Sequence, residues 1–284
     1  MVMTKPSVKS VNITRITDNQ SEQTEDLLAV EEPMEIRLGF GPMDARQQKS
    51  VSVTMRTPGN DFELALGFLF TEGIIQKTTD VYKIQYCTEL NTQENIENIV
   101  RVELNPNLDI DLSKLQRNFY TTSSCGVCGK ESIEAIKTNC MVQHLDLTMQ
   151  ITPQSITQLP DKLRAQQSVF EYTGGIHACA LFDAAGNLLL LREDVGRHNA
   201  LDKLIGAAMH ASTIKLNETV LLLSGRASFE LLQKAAMASI PIVCAVGAPS
   251  SLAVQTAVSF NITLVGFLRN QRFNIYACPE RITH

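Results

Sequence analysis

The second half of the chain alternates between two kinds of segment, and that alternation constrains the fold most. Residues 176–182, 219–224, 242–246 and 263–268 are short and apolar almost throughout. Successive side chains of a strand point to opposite faces, so a strand apolar on both faces is buried on both. Residues 196–210, 228–239 and 250–260 lie between or beside these runs and have helical length. Strands covered on both faces and separated by helices form a sheet between helical layers. Residues 188–191 pair with 176–182 through the turn Asp183-Ala184-Ala185-Gly186-Asn187, and 273–277 adds a last strand. Residues 153–167 form a leading helix with Ile156, Leu159 and Leu163 on one face. Residues 151–284 are therefore expected to be a layered α/β/α domain.

The first half reads differently. Residues 1–26 are polar and include Asp18-Asn19-Gln20-Ser21-Glu22-Gln23, which indicates a flexible N-terminal tail with a short strand near 11–13. From 27 to 57 the pattern alternates: Ile36 and Leu38 with Glu35 and Arg37, then Val51, Val53 and Met55 with Ser52, Thr54 and Arg56. Half-exposed antiparallel strands give that alternation. Pro58-Gly59-Asn60-Asp61 is a turn in which Asp61 caps a helix over 62–72, stopped by Gly73. Strands follow at 82–87 and 99–104. Residues 27–150 thus form a smaller N-terminal α+β domain carrying a Cys-x-x-Cys loop at 121–130, with a helical stretch over 130–137.

Composition excludes several classes. The net charge of −5, from 25 Lys+Arg against 30 Asp+Glu, argues against a general polyanion binder. No apolar run approaches the ~20 residues of a membrane span. The polar N-terminus has no secretory apolar core. Seven cysteines in 284 residues are too few and too uneven for a disulfide scaffold. A reduced, cytoplasmic protein is expected.

Cys125-Gly126-Val127-Cys128-Gly129 is the sharpest local motif. Its glycines permit tight backbone, and Lys130 and a following helix start both favour thiolate. Three readings stand beside one another. The pair is incidental; or it joins Cys140 and His144 as C-x2-C-x11-C-x3-H in a zinc-stabilised binding module without transfer activity; or it is reactive, as a redox couple or sulfur carrier. Cys87, Cys179, Cys244 and Cys278 lie in strand-like segments and read as packing residues.

Other polar groups gather where strands end. Gly174-Gly175-Ile176-His177 opens a strand, with His177 either a satisfied strand-start histidine or a pocket wall. A zinc deaminase needs a Glu two residues after such a histidine and a later P-C-x-x-C. Cys179 stands in place of the Glu, and Arg192-Glu193-Asp194-Val195-Gly196-Arg197-His198-Asn199 in place of the cysteine pair, which argues against zinc deamination even on a related fold. The stretch 192–202 is either a capped helix end or a ligand-contacting strand end. Ser224-Gly225-Arg226 and Ala245-Val246-Gly247-Ala248-Pro249-Ser250 each link a strand to a helix, where glycine lets backbone N–H groups approach an anion. With Arg226, Arg269 and Arg272 they suggest a basic, phosphate-binding mouth. The alternative for the last two is a solvated hairpin turn.

These residues together resemble the FdhD (NarQ-like) family of formate dehydrogenase accessory sulfurtransferases. The resemblance rests on Cys125–Gly129, Gly174–His177, Glu193–Lys203, Ser224-Gly225-Arg226 and Gly266–Arg269, in order over about residues 30–280. It implies a cytidine-deaminase-like C-terminal domain without the deaminase residues. It implies transfer of persulfide sulfur from an IscS-like cysteine desulfurase to a molybdenum bis-molybdopterin guanine dinucleotide cofactor, which activates formate dehydrogenase. Cys125 would carry the persulfide and Cys128 would assist or relay. Phe267, Leu268, Arg269, Asn270, Gln271 and Arg272, with Gly225, Arg226 and His198, would bind the cofactor, its GDP moiety in the pocket. A homodimer is implied, with formate dehydrogenase as a partner, and neither nucleic acid nor membrane.

Overall fold

The computed structural model describes residues 5–87, 97–106, 108, 149–211 and 213–283. The 121–130 loop, the 130–137 helix, Cys140 and His144 lie outside the described residues.

The C-terminal half holds a six-stranded sheet in the order β12-β11-β10-β9-β7-β8. Its strands are β7 (His177–Phe182), β8 (Leu188–Asp194), β9 (Val220–Leu223), β10 (Ile242–Ala245), β11 (Thr263–Arg269) and β12 (Arg272–Ala277). β9, β10 and β11 run parallel, while β7, β8 and β12 pair antiparallel to their neighbours. The helices α4 (Arg197–His210), α5 (Phe229–Met237) and α6 (Ser251–Ser259) pack one face through Leu201, Leu204, Leu232 and Ala253 against Leu181, Leu221 and Val243. On the other face α2 (Pro153–Arg164) lays Ile156, Leu159 and Leu163 against Ala180, Leu222 and Cys244. Helices thus pack on both faces of the sheet, and period-two burial of uniformly apolar strands explains both cores.

The N-terminal half contains the sheet β4-β3-β6-β5, made of β3 (Glu32–Phe40), β4 (Gln47–Arg56), β5 (Val81–Tyr86) and β6 (Ile99–Leu104). One face packs on α1 (Asp61–Thr71) through Met34, Ile36, Leu38 and Val102 against Leu64, Leu66 and Leu69.

Four expectations are corrected. Residues 1–26 are not a tail within the described range: β1 (Val8–Thr17) and β2 (Gln20–Ala29) form a separate two-stranded sheet that crosses the boundary expected at residue 27. Asp18 and Asn19 both adopt left-handed φ, of 50° and 65°, which makes the two-residue turn that closes a hairpin. The polar composition hid it, because neither face meets a core. β4 alternates as expected through the buried Val51, but beyond it presents the opposite face. A register shift opposite Ile36 and Arg37 turns Val53 and Met55 outward and Arg56 inward. Arg56 is buried because Asp61 accepts from its Nε and Nη2 at 2.9 Å each, a bidentate ion pair. That engagement is also why Asp61 is not the helix cap: Asn60, at φ 57°, holds that position without a side-chain bond. Cys278 stands beyond β12, half-buried and left-handed at φ 48°, and is not a strand residue.

The two halves meet at a close crossing of α1 and α4. A Cβ on Gly67 would lie 1.9 Å from Asp202 O, and one on Gly206 would lie 2.0 Å from Glu63 O. Only glycine permits that approach. Phe70 and Met209 pack against the cores on both sides of it.

Candidate functional site

The stretch 192–203 follows β8 into α4, and its polar residues face three ways. Asp194 is fully buried. Its Oδ1 accepts from Gly196 N at 2.8 Å and Asn199 Nδ2 at 3.1 Å, and its Oδ2 accepts from Thr57 N at 3.1 Å. Lys203 Nζ lies 2.7 Å from Oδ2 and donates to Thr57 O at 2.8 Å. Asn199 Nδ2 donates to Met55 O at 2.7 Å, and Val195 N donates to Thr57 Oγ1 at 3.1 Å. This group fastens the turn after β4 to the start of α4. A second buried group does the same one turn later. Asp202 accepts from Thr71 Oγ1 at 2.8 Å and lies 3.0 Å from Lys234 Nζ, which also meets Glu72 at 3.2 Å. Those carboxylates raise the Lys234 pKa despite burial. Arg192 donates to the Glu63 carboxylate on α1 from Nε and Nη2, at 2.5 and 2.7 Å. Most of the stretch is therefore a clamp between the two halves.

Glu193 points elsewhere. Its carboxylate accepts from Val169 N and Phe170 N at 3.0 Å each, which caps the short helix α3 (Ser168–Thr173). That helix forms one wall of a cleft of about 500 Å³ at the carboxyl ends of the central strands. A volume of this size suits one small ligand or one nucleotide. Leu163, Ile176, Val246 and Leu268 supply its apolar lining, and Gln167, His177, Ser224 and Arg269 its polar groups. Arg164, which also lines it, stacks its guanidinium 4.1 Å from the Phe170 ring centroid.

Of the residues expected to bind the cofactor, Gly225, Leu268, Arg269 and Asn270 line this cleft. Phe267 stands beside it, with the Arg269 guanidinium 5.9 Å from its ring centroid. It adopts φ 53°, rare for a bulky residue, within a register shift between Gly266 and Arg269. A bond from its N–H to Gly247 O at 3.0 Å holds that kink. The kink is how β11 buries Leu268 and turns Arg269 outward. Asn270 and Gln271, at φ 52° and 56°, form the hairpin turn to β12. Gln271 and Arg272 are exposed in that hairpin and are not among the cleft-lining residues, so the hairpin-turn alternative fits them. Arg226 is exposed, and it too is not among the lining residues. His198 stands apart as well, 3.8 Å from Glu230. Burial and the nearby Arg197 push its pKa down to about 4. His177 is a pocket wall, its pKa lowered by burial and by Arg197.

The glycine loops serve one another more than a ligand. Gly247 N donates to Gly225 O, Ala227 N to Ala248 O and Ser250 N to Ala227 O, at 3.0–3.2 Å, so several expected anion donors are already engaged. Gln167, Arg164, Phe170 and Asp161 were not legible as site residues. They come from the adjoining ends of α2 and α3 and the link between them, where no motif marks them. Cys179 and Cys244 are buried, and burial raises both thiol pKa values, that of Cys244 to about 12. They are packing residues, as expected. Cys125 and Cys128 lie outside the described residues. Among the described residues no group of three or more His, Cys, Asp or Glu is placed to hold a metal, and no helix is long and apolar enough to cross a membrane.

Fold and cleft together define a mixed α/β protein with a cleft at the strand ends of its six-stranded sheet. Comparison with known proteins gives the family. The model of the FdhD/NarQ family matches residues 29–283, and the chain belongs to that family. A relative in Streptomyces coelicolor, named sulfur carrier protein FdhD, is 48% identical over 272 residues, covering 95% of this chain and 94% of its own. One of the same name in Sulfolobus acidocaldarius is 39% identical over 275 residues, covering 97% and 98%. A crystal structure assigned to a formate dehydrogenase accessory protein from Desulfotalea psychrophila shares the fold, with a TM-score of 0.75 over 98% of this chain and 100% of that one, at 23% identity.

Proposed function

We propose that this protein is a sulfurtransferase of the cytoplasm that carries sulfur on Cys125 to the molybdenum cofactor of formate dehydrogenase. The relatives' shared name, sulfur carrier protein, supports the carrier role. The cleft supports the acceptor. It gathers four residues of the expected cofactor-binding set, offers Arg269 to phosphate, and has room for one nucleotide arm. The bis-molybdopterin guanine dinucleotide cofactor is the substrate here, and its GDP moiety is the part that the cleft fits. An orphaned buried donor on Gln167 gives a polar ligand something to bind.

In this reading the Cys125 thiolate attacks the terminal sulfur of a cysteine desulfurase persulfide. The desulfurase thiolate leaves, and Cys125 holds the sulfane sulfur. Cys128 then attacks the Cys125 sulfur and expels hydrosulfide toward molybdenum. The sulfane sulfur is reduced to sulfide, the two thiols are oxidised to a disulfide, and a cellular thiol reductant restores them. The protein acts as a homodimer with the desulfurase and formate dehydrogenase as partners. Intact mass spectrometry after incubation with a desulfurase and cysteine tests the carrier step. One added sulfur on the Cys125 peptide, lost in Cys125→Ala together with formate dehydrogenase activity in cells, is expected. Unchanged activity in Cys125→Ala overturns the assignment.

A further inference from the structure

The cleft contains one side chain for which the fold has no use. Gln167 is 5% exposed, lines the cleft, and buries its Nε2 without a partner among the described residues. It occupies the N-cap of α3, where a side chain ordinarily accepts from the second or third helical N–H. It makes no such bond. Those two N–H groups, on Val169 and Phe170, are taken by Glu193 from across the sheet. The amide of Gln167 is thereby freed from the duty its position normally carries. Native folds seldom leave a buried donor unpaired, and when they do it calls for an explanation.

The surroundings indicate what would pair with it. Leu163 and Ile176 are buried apolar neighbours in the lining, which suits a flat, weakly polar group. The stacked Arg164–Phe170 pair offers a planar surface, and Arg269 a cation. A planar ring that presents a hydrogen-bond acceptor and is tethered to phosphate satisfies all three. We propose that Gln167 is the specificity-determining residue of the cleft. Its Nε2 donates to a carbonyl oxygen on the ring of a nucleotide, and a base with an exocyclic amine in that place sets donor against donor. This rests on the reading above that the cleft takes a nucleotide.

Calorimetric titration of the full chain with GDP, IDP and ADP tests it. Wild type is expected to bind GDP and IDP about ten-fold or more tighter than ADP, the size of effect that one satisfied buried donor gives. Gln167→Leu removes the donor and should bring that ratio close to one. Gln167→Glu keeps the shape, replaces the donor with an acceptor, and should favour ADP. If Gln167→Leu fails to fold, the isosteric Gln167→Glu carries the test alone. Wild type that binds none of the three nucleotides overturns the nucleotide reading and this inference with it. Wild type that binds GDP, with a GDP-to-ADP ratio unchanged in the variants, overturns the role of Gln167 and leaves the cleft's reading intact.

Discussion

Gly206→Ala tests the joint between the two halves, because helix propensity and packing give opposite answers. Alanine is about 1 kcal/mol better than glycine inside a helix, so propensity alone makes the variant more stable. The crossing makes it less so. The new Cβ would stand 2.0 Å from Glu63 O and 2.9 Å from Gly67 N, both backbone atoms of α1. No rotamer change relieves a contact between Cβ and backbone. Reaching the 3.0 Å below which real Cβ contacts essentially never fall requires α1 and α4 to part by about 1 Å. That movement pulls on every polar link across the joint, from Arg192–Glu63 to Thr71–Asp202. Overpacking of this kind costs about 3 kcal/mol, at the upper end of its usual range because backbone must move. Set against the gain in propensity, the net loss is about 2 kcal/mol, or a Tm about 4–8 °C lower. Scanning calorimetry of wild type, Gly206→Ala, Gly67→Ala and the double variant measures it. Either Cβ forces the same separation, so the double variant should lose less than the sum of the singles. A Tm for Gly206→Ala at or above that of wild type, or strictly additive losses, refutes the close crossing.

Asp194→Ala leaves Lys203 buried with half its partners gone and should cost about 3–5 kcal/mol in urea unfolding; a loss below about 1 kcal/mol would contradict the clamp. His198 keeps a folded pKa of about 4 against 6.5 for the free side chain, so the folded state binds fewer protons between those values. Stability gained above about 6.5 is therefore lost as the pH falls toward about 4, and His198→Gln should flatten that slope; an unchanged slope by urea midpoint at several pH values argues against it. Native iodoacetamide labelling at pH 8 should leave Cys179 and Cys244 unmodified until the protein unfolds, as peptide mass spectrometry would show. Arg269→Ala should weaken GDP binding about ten-fold and leave guanosine binding unchanged, because it removes a phosphate contact only.

The sequence exposed what depends on local pattern and hid what depends on distant partners. β6 falls on the expected 99–104, and α4 and α6 within a residue of their expected ends, because uniform apolar runs and helical lengths are local signals. The helix expected over 153–167 breaks after Arg164 and restarts at Ser168, because Glu193 supplies a cap from β8. Nothing near residue 167 announces that. Val53 and Met55 read as core residues and face solvent, since the register shift that turns them is a property of pairing with β3. The cleft was half legible for the same reason. Gly225, Leu268, Arg269 and Asn270 sit in motifs; Gln167 gains meaning only from a bond it does not make.

The stretch 192–203 was the most recognisable part of the chain, and the structure divides it among separate tasks. Arg192, Asp194, Asn199, Asp202 and Lys203 hold the two halves together. Glu193 shapes the cleft by capping α3, without lining the cleft itself. Recognisability here therefore tracks the cost of breaking a buried polar clamp at least as much as contact with a ligand. Loss of activity on substitution in this stretch has two distinct origins, and stability separates them. Asp194 variants should lose activity in proportion to folded protein. Glu193→Ala should keep most of its folded population, because one helix cap contributes only about 1 kcal/mol, and should lose nucleotide affinity through the displaced wall of the cleft. The residues of this stretch that build the clamp therefore do not by themselves mark a ligand site. In the proposed function the chemistry belongs to Cys125 and Cys128, and what the clamp itself holds is the joint between the two halves.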